Sequence, residues 1–150
     1  MKKFSFSLQK VLEIKEQVLE NLKVELGNLN HEQKTIEEKI KELQAKYQSV
    51  DNEFIKKSSV AISVGEMTYY KMYMGSILKQ IEKQEEEKET VLKKIEAKRH
   101  EILNMNKEIS SLDKLRENEL DKYKKLSLKN EELFIDEFVS NKSMTSKYAI

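Results

Sequence analysis

An uninterrupted heptad repeat over residues 8–54 constrains this chain more than any other feature. One series steps by seven through Leu8, Lys15, Leu22, Leu29, Ile36, Leu43 and Val50, and its partner series runs Leu12, Leu19, Leu26, Gln33, Ile40, Tyr47 and Phe54. Only Lys15 and Gln33 break the apolar rule. The alternating spacing of four and three is the seam of a left-handed coiled coil. A lone helix would leave that seam in water, so a second helix must cover it. The pattern favours an interaction or mechanical protein over an enzyme.

Composition narrows the reading. Of the 150 residues, 37% are charged, yet the formal net charge is +1. The charges are interspersed along solvated faces, so neither DNA nor an anionic membrane is an obvious partner. There is no proline and there are three glycines, too few for a compact fold with many turns. The length fits one domain. The absence of cysteine excludes a disulfide framework. No apolar run approaches the roughly 18 residues of a membrane span. The opening segment MKKFSFSLQ is too short and polar for a secretory signal, so a soluble, cytoplasmic protein is expected.

The spacing predicts two helices. The first is expected over about 7–57, with Ser7 as its cap and Phe6 and Val11 at hydrophobic-staple positions. Gly27 falls off the seam and is expected to soften this helix by about 1 kcal/mol without ending it. At 58–65 the heptad phase is lost and small or β-branched residues replace the Glu/Lys mixture, which predicts a turn. Ser63 and Glu66 then have capping-box spacing, with Ile62 and Met67 as a staple. The second helix is expected over about 66–139, followed by a frayed tail at 140–150. Its repeat is weaker: Met67, Met74, Ile81, Lys88, Ile95, Ile102, Ile109, Arg116 and Tyr123 form one series. Tyr70, Ile77, Gln84, Val91, Lys98, Met105, Leu112, Glu119 and Leu126 form the other.

A short connection makes the helices antiparallel neighbours. With the turn centred near Ile62, facing residues have numbers totalling 124, and every seam position falls into a layer. Leu43 then meets Ile81, Leu29 meets Ile95, Leu22 meets Ile102 and Tyr47 meets Ile77. Each polar seam residue faces an apolar one: Gln33 faces Val91, Lys98 faces Leu26, Lys88 faces Ile36 and Arg116 faces Leu8. Long basic side chains can snorkel out of such layers. Phe4 lies opposite residue 120, so the second helix is expected to overhang beyond about Asp121, carrying Leu126, Leu133, Phe134, Ile135, Phe138 and Val139. A hairpin with a single seam has a small stability margin and is expected to stiffen when it docks.

No catalytic constellation is visible. His31 and His100 point outward by heptad phase, and the many carboxylates alternate with lysine along helix faces. There is no Gly-rich phosphate loop and no nucleophile elbow. No metal site or cofactor is expected. Aromatic platforms for nucleic acid are missing. Two patches stay open between local packing and docking. One is Tyr69, Tyr70, Met72, Tyr73 and Met74 after the turn, with Tyr73, Ile77, Gln80 and Gln84 at helical spacing. The other spans residues 133–139.

The opening Phe4-x-Phe6-x-Leu8-x-x-Val11-Leu12 and the restart Ser63-Val64-Gly65-Glu66-Met67-x-x-Tyr70 resemble the flagellar FliJ family. So do Lys114-Leu115-Arg116-Glu117 and Ile135-Asp136-Glu137-Phe138. The resemblance covers nearly the whole chain in order. It implies an all-α antiparallel two-helix coiled-coil hairpin, similar to the central stalk of rotary ATPases. It also implies a non-enzymatic part of the flagellar type III export apparatus, peripheral to the basal body at the inner membrane and monomeric alone. The implied partners are the export ATPase hexamer, the membrane protein of the export gate and other export chaperones. The family's gate-contacting stripe falls on Tyr73, Ile77, Gln80 and Gln84. The implied ATPase-ring contacts are Phe4, Phe6, Leu133, Phe134 and Phe138. The equivalent stalk of a virulence-type secretion system and a generic coiled-coil scaffold are the rival readings.

Overall fold

The computed structural model describes residues 2–148, with side chains described over 2–143. Two helices make up the described chain: α1 (Gln9–Ser58) and α2 (Val64–Tyr148). They pack side by side with opposite chain direction, and no strand occurs among the described residues. The expected two-helix hairpin is the observed fold.

Local chemistry sets the helix ends. The N–H of Gln9 donates to the Phe6 carbonyl at 3.1 Å, and that of Leu12 donates to the Leu8 carbonyl at 3.0 Å. Leu8 therefore occupies the cap position that Ser7 was expected to hold. Burial of Phe6 keeps Ser7 and Leu8 in a tight turn ahead of the helix. At the other end, the Ser59 hydroxyl donates to the Lys56 carbonyl at 2.7 Å. The N–H groups of Val60 and Ala61 both donate to the Lys57 carbonyl at 3.2 Å. Lys56 and Lys57 stand in the last turn, where cations complement the helix dipole. Ser63 then caps α2: its hydroxyl accepts the Glu66 N–H at 3.1 Å, and its carbonyl accepts that of Met67 at 3.0 Å. The helix continues through residues 140–148, where a frayed tail was expected, because that segment contains neither glycine nor proline to stop it. Residues 149–150 of that expected tail lie outside the described residues.

The packing divides into two compact units. One is Glu20–Leu103; the other joins the residues up to Leu19 with those from Asn104 onward.

In the first unit, Ile36, Ile40, Val91 and Ile95 form the buried core, with Leu26, Leu29 and Ile81 packed against it. These are seam positions of both repeats. The rings of Phe54 and Tyr70, whose numbers total 124, lie 5.6 Å apart, so the expected register holds up to the turn. The basic seam residues Lys88 and Lys98 reach sideways to acids on the opposite helix. Lys98 meets Glu25 at 2.6 Å and Glu101 on its own helix at 3.2 Å. These carboxylates, Glu25 foremost, raise the Lys98 ammonium above its ordinary range. Lys88 meets Glu37 at 3.3 Å, and Gln33 donates to the same carboxylate at 3.1 Å. The Gln33 bond, followed by the Lys88 bond, holds the Glu37 carboxyl below its ordinary value.

In the second unit, Phe6, Leu12 and Leu19 are buried, and Ile109, Leu112 and Glu119 are half-buried. Lys15, a polar break in the first seam, pairs with Glu108 at 2.7 Å. Arg116, expected opposite Leu8, is exposed. The chain ahead of α1 is not helical and advances further per residue than a helix does, at roughly 3.3 Å against 1.5 Å. Phe4 therefore reaches Tyr123, with ring centroids 5.6 Å apart, rather than residue 120. The Tyr123 hydroxyl donates to the Lys2 carbonyl at 2.5 Å. Past this contact, every described side chain from Lys124 to Ser143 except the half-buried Ser127 is exposed.

Candidate docking surfaces

The seam accounts for the perturbed ionisable groups at Glu37 and Lys98, and a third lies beside the turn. Lys57 sits over the Tyr70 ring at 5.5 Å, and the Tyr70 hydroxyl donates to Glu53 at 3.1 Å. The Tyr70 hydroxyl, with Glu53 and Glu66 nearby, raises the Lys57 ammonium above its ordinary range. These groups join helix to helix and line no enclosed cleft. His31 and His100 are exposed. Among the described residues, no group of three or more His, Cys, Asp or Glu could hold a metal ion. No helix there is long and apolar enough to cross a membrane.

The stripe of Tyr73, Ile77, Gln80 and Gln84 does not form one docking face. Ile77 is 1% exposed, the most deeply buried large side chain described, and Gln84 is 8% exposed. Both belong to the second seam series of α2, and their spacing of seven keeps them facing α1. Tyr73 is half-buried and Gln80 is exposed. The surface left near the turn is therefore aromatic and lies off the seam. Tyr69 stacks parallel to Tyr73 with centroids 6.2 Å apart, and Lys46 stands 5.4 Å from the centre of the Tyr73 ring. Tyr69 meets Tyr70 edge-on at 6.0 Å, and Met72 is exposed beside them.

The set of Phe4, Phe6, Leu133, Phe134 and Phe138 divides as well. Phe6 is buried and Phe4 is held against Tyr123, so both brace the N-terminal segment on α2. Leu133, Phe134 and Phe138 remain exposed, at 69% for Phe134 and 60% for Phe138, with Ile135 and Val139 beside them. At about 100° per residue these side chains are spread over more than half of the helix circumference.

The repeat gave no warning of the exposed valines Val60 and Val64 at the turn, which lie outside any heptad phase. A signal was present in the alternation of Val60, Ile62 and Val64, where only Ile62 has a half-buried place.

Two long antiparallel helices, a seam tied by cross-helix ion pairs and apolar surface left at the turn and along the end of α2 define a coiled-coil hairpin protein. The family model described as "Flagellar FliJ protein" matches residues 4–147, and the chain belongs to that flagellar family. No curated protein and no solved structure matches the chain.

Proposed function

We infer that this protein is a non-enzymatic, stalk-like coupler of the flagellar protein export apparatus. It engages the export ATPase ring through the end of α2 and the export gate through the surface near the turn. It also escorts other export chaperones. The observation that carries this reading is the stretch from Leu133 to Val139. A helix apolar on one side needs one neighbour; a helix apolar over most of its circumference needs an enclosing socket. A ring with a central opening is such a socket. Leu133, Phe134, Ile135, Phe138 and Val139 are its anchors, while Phe4 and Phe6 secure the base of the segment. At the turn, Tyr69, Met72, Tyr73 and Gln80 supply the gate-facing surface, with Ile77 and Gln84 supporting it from the seam. The flagellar family supports this reading over a virulence-type stalk or a generic scaffold.

The test is to mix the purified chain with the export ATPase of the same organism. Faster ATP hydrolysis and more hexamer are expected. Phe134→Ala/Phe138→Ala should lose both effects and keep the helical circular dichroism of the parent. An ATPase whose rate and assembly ignore the unaltered chain would overturn the reading.

A further inference from the structure

In the observed register, four layers of the first unit set a polar seam residue against an apolar one: Gln33 with Val91, Gln84 with Ile40, Lys88 with Ile36 and Lys98 with Leu26. The seam repeats every seven residues, so sliding α2 along α1 by one heptad returns seam positions to the seam. With facing numbers totalling 117 in place of 124, Ile36 meets Ile81, Ile40 meets Ile77, Leu26 meets Val91 and Leu22 meets Ile95. Gln33 meets Gln84, and each amide offers the other a donor and an acceptor. Lys88 opposite Leu29 is the one mixed layer left inside the unit. The opposite slide, with numbers totalling 131, sets Lys15 against Arg116 and Leu12 against Glu119 in the second unit. That direction makes a like-charge layer and lays a carboxylate on the buried Leu12.

Few contacts hold the observed register against this slide. The Phe54 and Tyr70 rings meet beside the turn, and the Phe4 ring meets Tyr123 in the second unit. The ion pairs of Lys98 with Glu25 and of Lys88 with Glu37 are partly solvated and contribute little each. The slid register confines the turn to residues 55–62, within the roughly 2–8 residues of helix–helix connections. Ser58 and Ser59 lie there, and Ser63 keeps its place as the cap of α2. We propose that the hairpin has a second, less populated register one heptad along, reached when α2 slides past α1 by about 10 Å. In the second unit the slide carries Leu8 from Arg116 to Ile109 and parts Phe4 from Tyr123, so more of α2 extends beyond α1. On the stalk-like reading, a partner that binds the end of α2 better in one register shifts the balance between the two.

The experiment is thiol trapping in the full chain. Ile36→Cys/Ile81→Cys can link only in the second register, because in the observed one these positions stand about 10 Å apart along the seam, beyond the roughly 7 Å a disulfide spans. Oxidised at low protein concentration, this variant is expected to give a linked species of monomer mass. It should form about tenfold to a thousandfold more slowly than the link in Leu43→Cys/Ile81→Cys, as a minor state of roughly 0.1–10% requires. Leu26→Cys/Val91→Cys, a second pair of the same register, should behave alike, so loss of the fold at one site leaves the test intact. Val50→Cys/Ile81→Cys, displaced equally in the opposite direction, should stay unlinked over the same time. In the Ile36→Cys/Ile81→Cys background, Gln33→Lys/Gln84→Glu should speed the link by about two- to fivefold, and Gln33→Glu/Gln84→Glu should slow it. The proposal would be overturned if neither pair of the second register linked within one molecule, if Val50→Cys/Ile81→Cys linked as fast, or if the rate ignored the changes at Gln33 and Gln84. The measurement uses the chain alone, so a failed ATPase assay leaves its outcome untouched.

Discussion

Replacing Ile77 by alanine separates packing from docking at a position that, like Gln84, belongs to both the seam and the stripe the family resemblance assigns to the gate. Ile77 is 1% exposed. Removing three of its carbons at roughly 0.8 kcal/mol each forfeits roughly 2.4 kcal/mol of transfer free energy. A residual cavity adds to this, and core Ile→Ala changes cost about 2–5 kcal/mol. With only two helices at the site, the walls can close in, which places the expected loss at about 2–3 kcal/mol. Gln80→Ala, three residues along on the exposed face, should stay within about 0.5 kcal/mol of the parent. Urea unfolding followed by far-UV circular dichroism measures both. If Ile77→Ala unfolded with the parent's midpoint, the burial argument would fail, and Ile77 would return to the docking surface.

Other outcomes follow from the same structure. Gly27→Ala should stabilise α1 by about 0.5–1 kcal/mol, since a Cβ there meets nothing within 4 Å and φ is not positive; an unchanged or lowered unfolding midpoint would contradict this. Ser63→Ala should cost about 1 kcal/mol by removing the acceptor for the Glu66 N–H, and a midpoint equal to the parent's would show the cap contributes nothing. The Glu37 carboxyl is held below its ordinary value by Gln33 and then Lys88. Its contribution is present above the unfolded-state carboxyl pKa and is lost as pH falls through the lower folded value. Glu37→Gln should therefore unfold more easily than the parent at neutral pH, with the gap closing in acid. Parallel midpoint–pH curves for the two proteins would refute that assignment.

The fold was legible because its determinants are local and periodic. The seam from Leu8 to Phe54 needed only the spacing of leucine and isoleucine, and every residue of both its series is buried or half-buried. The turn was marked by Ser63 and Glu66. The start of α1 was missed because burial of Phe6, a tertiary contact, displaced the cap from Ser7. The end of α2 lies further on than expected, because terminal position alone suggests fraying, whereas nothing in residues 140–148 breaks a helix. The docking surfaces were legible only in part. The spacing of Tyr73, Ile77, Gln80 and Gln84 fits one helix face, but Ile77 and Gln84 also fit the heptad, and the heptad prevails because α1 covers it. Phe4 and Phe6 look like free aromatic anchors until the non-helical N-terminal segment lays them on α2. Val60 and Val64 fit no heptad phase and are marked only by their alternation with Ile62.

The account depends on one chain folding back on itself with Leu43 beside Ile81. Since the chain has no cysteine, a Leu43→Cys/Ile81→Cys variant can be oxidised and its products sized under denaturing conditions. The register totalling 124 predicts a thiol-linked species of monomer mass with altered mobility, formed independently of protein concentration. Linkage found only between separate molecules would contradict it.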